Sequence, residues 1–295
     1  MSFQVFVQSF LDYCHVHKGF ADLTLQNYER DLIKLSHYLK ANQTSFLAMD
    51  KSLCREFVAN ELNNDQSAKT LCRRISAYRS FWDFLIINDQ LKRNPWRSIR
   101  LPKISRVLPK IIPTKVMINF LDSIPDKTLL GLRNRVVCEC LYGIGLRVSE
   151  LASLPLDQIN LSTGECRVVG KRNKERIAII GDMTRNVLKR YINTVWNAWS
   201  KSHSKTLIIG ADGHSVTVRT LQRIVKKCSL EQGINPPLTP HVLRHCYATD
   251  LYKGGADISI IKELLGHEHV ATTEIYTHVG IDELREVITV AHPHG

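Results

Sequence analysis

The sequence predicts a mainly α-helical protein of two domains, with a small β-sheet in the second domain. Apolar residues recur at intervals of three and four over most of the chain, a basic stretch with prolines interrupts this pattern near residue 100, and two β-rich runs follow residue 160. The 295 residues suffice for two compact domains. No run approaches the ~20 apolar residues that cross a bilayer, and the start has no signal-peptide pattern, so neither a membrane span nor secretion is expected.

Residues 1–100 are predicted to form a helical domain. One helix has an apolar face made of Leu25, Tyr28, Leu32, Leu35 and Leu39. A later helix covers KTLCRRISAYRSFWDFL, with Leu71, Ile75, Tyr78, Trp82 and Leu85 on its apolar side and Lys69, Arg73, Ser76 and Ser80 on the other. This basic, short-chained row suits a helix in a DNA major groove, which makes Lys69 and Arg73 candidate DNA contacts. An ordinary solvated face explains the row equally well.

The stretch LPKISRVLPKIIP, residues 101–113, has three prolines together with Lys103, Arg106 and Lys110. Proline fixes the backbone and removes donors, so this stretch favours an extended linker, which we place at 101–112. Residues 113–295 then form a mixed second domain. Its predicted hairpin has strands at 165–169 and 176–180, joined by GKRNKE with Lys171 at the tip, and 206–209 is a candidate third strand.

A helix in the second domain repeats the two-faced pattern. TVRTLQRIVKKCSLEQG has an apolar side of Leu221, Ile224, Val225 and Cys228, and a polar side of Arg219, Gln222, Arg223 and Lys226. Arginine and glutamine bind guanine and adenine edges bidentately, so Arg219, Gln222 and Lys226 are further candidate DNA contacts. The net charge of +12 and the pI of about 9.4 also favour a polyanionic partner. An unspecialised basic surface is the alternative. The eight scattered cysteines indicate reduced thiols rather than a zinc site.

The segment TPHVLRHCYATDLYKGG contains the most informative local pattern. Thr239 can cap a helix whose first residue is Pro240, which places His241 and Arg244 on one face of its first turns. The positive end of a helix with a histidine and an arginine is a natural phosphate site. Metal binding by His241 and His245 is the competing hypothesis, but no carboxylate lies between them and Arg244 would repel the ion.

Two further segments add polar residues in unusual surroundings. In DISIIKELLGHEHVATTEIYTHVG, Asp257 can cap a helix that Gly266 ends, with His267 just beyond and Tyr276 nine residues later. In LYGIGLRVSELASL, the glycines indicate a turn from which Arg147 can point into a cleft, although a buried ion pair with Glu150 is an equally physical explanation.

Together these residues resemble the tyrosine recombinase, or phage integrase, family over nearly the whole chain. The resemblance rests on Arg147 in GLRVSEL, Lys171 in GKRNKER, His241 and Arg244 in HVLRH, His267 in LGH, and Tyr276 in IYTHV. It implies a helical, SAM-like core-binding domain at 1–100 and a catalytic domain at 113–295. It also implies that the tail after Tyr276 docks on a neighbouring subunit.

The resemblance assigns a role to each of the six residues. Tyr276 would attack a DNA phosphate and form a 3′-phosphotyrosyl link, with His241 as its base and Lys171 as the acid that protonates the leaving 5′ oxygen. Arg147, Arg244 and His267 would bind the phosphate oxygens. Attack by the 5′ hydroxyl of another strand then gives a Holliday junction. The bond energy stays in the ester, so no cofactor, metal ion or ATP is expected.

Within the family, the chain is most similar to the Xer recombinases, which resolve chromosome dimers. This implies double-stranded DNA with a specific site, a companion Xer recombinase in a heterotetramer, control by a septal DNA translocase, and a cytoplasmic, nucleoid-associated location. The rivals are an integrase or resolvase of a mobile element, a non-catalytic DNA-binding regulator on the same fold, and a type IB topoisomerase. The lack of a long N-terminal arm-binding extension argues against a lambda-type integrase.

Overall fold

The computed structural model describes residues 3–102, 112–170, 175–266 and 280–295. The chain divides into two compact units, Met1–Leu108 and Pro109–Gly295, and each unit has its own hydrophobic core. Helices dominate both units, and the second contains a three-stranded sheet. The predicted fold class, mainly helical with a small sheet, is therefore confirmed.

In its described part, the first unit consists mainly of four helices. They are α1 (Phe3–Val16), α2 (Asp22–Ala41), α3 (Lys51–Asn63) and α4 (Ala68–Ile87). The side chains of Asp50 and Ser67 accept backbone N–H groups at the starts of α3 and α4, which satisfies donors that have no partner within the helix. These caps explain why the two helices begin where they do.

The core of the first unit is rich in aromatic side chains. Phe10, Phe81, Trp82 and Trp96 are all buried, and many of the rings meet at steep angles; the centroids of Phe10 and Phe81 are 5.3 Å apart with planes at 72°. The five apolar residues predicted to line α4, from Leu71 to Leu85, are completely buried. The predicted orientation of this helix is therefore confirmed.

The described part of the second unit surrounds a buried central helix. Its helices are α5 (Thr114–Ser123), α6 (Leu129–Gly143), α7 (Val148–Ser153), α8 (Asp182–Tyr191), α9 (Asn197–Trp199), α10 (Val218–Glu231), α11 (Pro240–Lys253), α12 (Ile258–Leu265) and α13 (Ile281–Ala291). A π-helical segment, Ile192–Trp196, joins α8 to α9. Every residue of α6 from Val136 to Gly143 is buried, so α6 forms the centre around which the others pack.

The sheet is antiparallel, with the strand order β1 (Ile159–Asn160), β2 (Glu165–Val169) and β3 (Glu175–Ile179). The two predicted hairpin strands are present, the second beginning one residue earlier than expected. The prediction of a third strand at 206–209 is wrong, because Thr206 and Ile209 form only isolated bridges. Residues 207–209 are buried in the core, so their apolar, β-branched composition reflects burial rather than strand pairing.

The helix boundaries predicted for α11 and α12 are confirmed. Thr239 accepts the backbone N–H of Val242 at the start of α11, and Pro240 occupies the first position. Asp257 caps α12, and Gly266 ends it in a left-handed conformation with φ +62°.

The C-terminal segment packs on the second unit of its own chain. Helix α13 contacts α11 and β3, and the buried His294 places Nδ1 3.0 Å from Oε2 of the buried Glu139. The His292 ring lies beside Tyr142 and Tyr247. Burial, aided by the charge of His294, lowers the pKa of His292 to about 3, so this imidazole is neutral. Docking of this segment on a neighbouring subunit stays a prediction.

Candidate active site

Arg147 lies at a sharp turn between α6 and α7. Gly145 makes the turn with φ +69°, and a β-carbon there would collide with the ring of Tyr247, so only glycine fits. The Arg147 side chain is 37% exposed and donates to Oε1 of Glu150 and to the carbonyl of Gly266, both at 2.7 Å. The turn and the ion pair that the sequence offered as alternatives are both present.

Glu150 is the acidic centre of this region. It is only 5% exposed, and Oε2 also accepts the backbone N–H of Arg147 at 2.7 Å, as in a capping box. Arg176 on β3 binds both carboxylate oxygens, at 2.8 and 2.9 Å. Burial acts to raise the pKa of Glu150, but the hydrogen bonds and charge of Arg176 and the bonds from Arg147 outweigh it. The pKa is lowered as a result, and the carboxylate is ionised.

Arg244 approaches the same carboxylate from α11. It is 8% exposed, donates to the carbonyl of Gly145 at 2.5 Å and to that of Leu265, and holds Nη1 3.6 Å from Oε2 of Glu150. Burial lowers the pKa of Arg244 to about 10, and the neighbouring charge of Arg147 contributes in the same direction. The guanidinium therefore stays charged at neutral pH despite being buried.

We call Arg147, Arg176, Arg244 and Glu150 the arginine cluster. Among the residues that the structure describes, its three positive charges face one carboxylate, so two positive charges are left uncompensated. Arg147 and Arg244 each donate two side-chain hydrogen bonds within the described residues, whereas a guanidinium carries five N–H groups. Uncompensated buried charge is costly, and forked donors match phosphate oxygens, so the cluster is suited to bind a phosphate anion.

The structure describes half of the six predicted catalytic residues. It brings Arg147 and Arg244 to the same carboxylate, and it places His241 in the first turn of α11 with an exposed side chain. Lys171, His267 and Tyr276 lie outside the described residues. The described part of the chain stops on either side of Lys171 at Gly170 and Glu175, and before His267 at Gly266, whose carbonyl accepts from Arg147.

Sequence reasoning missed Arg176 and the full role of Glu150. Arg176 lies 26 positions after Glu150, and its Nε also donates to the carbonyl of Leu264 at 3.1 Å. The signal in the sequence is an arginine within a mostly apolar strand, ERIAI, because such a side chain needs an acidic partner if the strand is buried. In the structure this side chain is only 12% exposed.

The five candidate DNA contacts differ in how their side chains are engaged. Lys69 is exposed on α4, whereas Arg73 on the same row binds the buried Asp31, with Nη2 2.9 Å from Oδ1. On α10, Arg219, Gln222 and Lys226 are all exposed, while the opposite apolar row is buried, as the sequence predicts. Arg73 therefore has a structural partner that the sequence did not reveal.

The described ranges offer neither a metal site nor a membrane span. No group of three or more histidine, cysteine or acidic side chains is gathered there for a metal ion, and no helix there is long and apolar enough to cross a membrane. All eight cysteines are free thiols, and seven of them are buried.

Comparison with protein families identifies the class of this protein. The family described as "Phage integrase family" matches residues 113–282, and "Phage integrase, N-terminal SAM-like domain" matches residues 7–88. The chain therefore belongs to the phage integrase family, the tyrosine recombinases. The predictions of a tyrosine recombinase and of an enzyme that breaks and rejoins DNA are confirmed.

Similar curated proteins carry the name "Tyrosine recombinase XerD". The protein of Staphylococcus epidermidis strain RP62A is 36% identical over 292 residues, which cover 98% of this chain and 99% of that protein. The protein of Staphylococcus aureus strain N315 is 32% identical over 294 residues, which cover 99% of this chain and all of the relative. These similarities extend over both units.

Solved structures share the fold at lower identity. A lambda integrase fragment in a dimer bound to a core site superimposes with a TM-score of 0.73 at 16% identity, covering 95% of this chain and 100% of that one. The XerH recombinase bound to a palindromic difH substrate gives a TM-score of 0.70 at 22% identity, covering 95% of this chain and 83% of the other.

Proposed function

We propose that this protein is a site-specific recombinase of the Xer type, which resolves chromosome dimers during segregation. Its partners would be double-stranded DNA at one recombination site, a companion Xer recombinase in a tetramer, and a septal DNA translocase. Full-length identity of 32–36% to proteins named XerD supports this role over that of a mobile-element integrase.

The observation that carries the proposed chemistry is the arginine cluster, which has two positive charges in excess over Glu150. The carbonyl groups at the end of α12 hold its guanidiniums in place: Leu264 accepts from Arg176, Leu265 from Arg244 and Gly266 from Arg147. Arg147 and Arg244 bind the non-bridging oxygens of a DNA phosphate, and His267 adds a third donor. Each such donor is worth about 10²–10³ in rate, because the five-coordinate transition state carries more negative charge than the phosphodiester.

The covalent step exchanges one phosphate ester for another. Tyr276 loses its proton to His241 and attacks phosphorus through Oη, while the bond to the 5′ oxygen breaks and Lys171 protonates the leaving oxygen. The products are a 3′-phosphotyrosyl ester and a free 5′ hydroxyl. The 5′ hydroxyl of a partner strand reverses the step, which restores Tyr276 and joins two DNA molecules.

DNA binding is assigned to two helices with exposed basic rows. Lys69 on α4, together with Arg219, Gln222 and Lys226 on α10, would contact the duplex from the two units, with the basic linker at 101–112 between them. Arg73 would contribute a phosphate contact with the part of its guanidinium that Asp31 does not occupy.

The test begins with a duplex that the purified protein selects from a random-sequence pool. A series of copies of this duplex is then prepared, each with a nick at a different position, so that a covalent protein–DNA adduct is trapped. Denaturing gels separate this adduct from free DNA. Wild type and Tyr252→Phe, which alters an exposed tyrosine of α11, should form the adduct, whereas Tyr276→Phe should bind the duplex equally well and form none. An adduct in Tyr276→Phe would exclude this residue as the nucleophile.

The role in segregation needs a second experiment. Sequencing the chromosomal DNA that is covalently trapped by the protein should reveal one site per chromosome, with two inverted half-sites of unequal sequence if a companion recombinase binds one of them. Several sites at the ends of mobile elements would instead support the integrase or resolvase alternative.

A further inference from the structure

Among the described residues, the side chain of Arg176 donates more hydrogen bonds than that of either other arginine of the cluster. Nη1 and Nη2 bind the two oxygens of Glu150 at 2.8 and 2.9 Å, and Nε donates to the carbonyl of Leu264 at 3.1 Å. All three nitrogens of this guanidinium are therefore engaged. Its Cδ would lie 2.9 Å from a β-carbon at Gly266, so the end of α12 is packed directly against it.

The three arginines share Glu150 unequally. Arg176 forms two side-chain bonds to the carboxylate, Arg147 forms one, and Arg244 stays 3.6 Å away without a hydrogen bond. A bidentate pair is the strongest arrangement between guanidinium and carboxylate, so Arg176 takes most of the negative charge. Without Arg176, the two other guanidiniums would be the remaining cations of the cluster, and both would be drawn toward Glu150.

We propose that Arg176 is a positioning residue that neutralises Glu150, so that Arg147 and Arg244 keep their charge and donors for the phosphate. This inference deepens the proposed function and rests on it. Each nitrogen of the Arg176 guanidinium already donates to Glu150 or Leu264, so in this proposal Arg176 orders the site and leaves the phosphate to Arg147 and Arg244. It acts by holding together the start of α7, the strand β3 and the end of α12 around one carboxylate.

Charge balance distinguishes this role from a purely structural one. Arg176→Gln leaves the cluster with one positive charge in excess, whereas the double variant Glu150→Gln/Arg176→Gln restores the excess of two found in the wild type. Two facing amides can also hydrogen-bond to each other, so the double variant keeps a link between α7 and β3. If Arg176 were only a structural link, the adduct rate and the phosphate stabilisation would follow each protein's unfolding midpoint in chloride, and not the excess charge of the cluster.

The primary measurement is the rate of covalent adduct formation on the nicked duplex described above, together with the affinity for the intact duplex. Arg176→Gln should form the adduct at least ~100-fold more slowly than wild type, with its affinity for the duplex changed less than about threefold. The double variant should recover at least ~10-fold of the lost rate. Arg190→Gln, which removes an arginine paired with Asp126 on the surface of the same unit, serves as the matched control and should behave as wild type.

A second measurement does not depend on Tyr276 or on a DNA site. At equal ionic strength, about 50 mM inorganic phosphate in place of chloride should raise the thermal unfolding midpoint of wild type, because ligand binding to the folded state stabilises it. This increase should be lost in Arg176→Gln and return in the double variant, and each protein's midpoint in chloride reports whether it folds.

Each outcome decides the matter. A rate for Arg176→Gln less than ~100-fold below that of wild type, or a double variant that recovers less than ~10-fold, would overturn the positioning role. If wild type forms no adduct, the proposed recombinase chemistry fails instead. The role of Arg176 is then judged from phosphate alone: it is supported if phosphate stabilises wild type and the double variant but not Arg176→Gln, and it is overturned by any other pattern.

Discussion

Replacing Glu150 by glutamine should destabilise the second unit and at the same time strengthen its binding of phosphate. The carboxylate is 5% exposed and accepts three side-chain hydrogen bonds from Arg147 and Arg176, with Arg244 at 3.6 Å. Removing the charge leaves three guanidiniums in one buried region without an opposing carboxylate from this cluster. They repel one another and lose their strongest acceptor.

The size of the effect follows from the geometry. Removing one partner of a buried ion pair costs about 3–5 kcal/mol, and glutamine still supplies one acceptor oxygen, so we expect a loss near the lower end, about 3 kcal/mol. For a folding unit of this size, each kcal/mol shifts the unfolding midpoint by about 2–4 °C, which gives a decrease of roughly 6–12 °C. Phosphate supplies the missing negative charge and should return part of this loss.

Differential scanning calorimetry in chloride and in phosphate measures both effects. The matched control is Glu165→Gln, because Glu165 is 27% exposed and pairs with the half-exposed Arg285 at 3.0 Å. A surface pair of this kind contributes about 0–1 kcal/mol, so this control should change the midpoint little. The reasoning is refuted if Glu150→Gln unfolds at the same temperature as the control, or if phosphate stabilises it less than it stabilises the wild type.

Three further predictions concern pH, stability and DNA binding. The pKa of His292 is lowered from 6.5 to about 3, so the folded state resists protonation of this imidazole. Its contribution to the free energy of unfolding is complete above pH 6.5 and is lost as pH falls toward 3, by about 2 kcal/mol between pH 7.5 and 5. Chemical denaturation at the two pH values should show that His292→Asn lacks this pH-dependent loss. Arg73→Ala should lower the unfolding midpoint of the first unit because it deprives the buried Asp31 of a partner, whereas Lys69→Ala should leave the midpoint unchanged; equal midpoints would contradict this. Lys226→Ala should weaken binding to all duplexes alike and reduce the dependence of log K on log salt by about one, and an unchanged salt dependence would argue against a phosphate contact.

The features that could be predicted from the sequence are those fixed by neighbours along the chain. Each of the confirmed features depends on residues within a few positions of one another. They are the caps Thr239 and Asp257, the helix end at Gly266 and the buried stripe of α4. The strand predicted at 206–209 is absent, because an apolar, β-branched run has the same sequence pattern whether it pairs with a strand or is only buried. Burial in that segment comes from the fold around it.

Pairings between distant residues could not be predicted in the same way. Arg73 and Asp31 are 42 positions apart, and Arg176 and Glu150 are 26 apart, so only the folded chain brings their charges together. A basic row on a helix gives no indication of which of its members is already engaged by a carboxylate. For this reason Lys69 and Arg73, equal in the sequence, differ in the structure, and their substitutions should have different consequences.

The sequence posed a choice for Arg147 between an ion pair with Glu150 and a role at a phosphate. The structure shows the ion pair, and its geometry is compatible with the proposed phosphate role. Within the part of the chain that the structure describes, one N–H of its guanidinium binds Glu150 and one binds the carbonyl of Gly266, and three of its five N–H groups have no acceptor there. The two contacts fix the plane of the fork, and the side chain remains 37% exposed. A donor that is held in place before its ligand arrives loses less conformational entropy on binding, so the structural contact would strengthen the proposed contact with phosphate. The same reasoning applies to Arg244, which the carbonyl groups of Gly145 and Leu265 hold beside the same carboxylate.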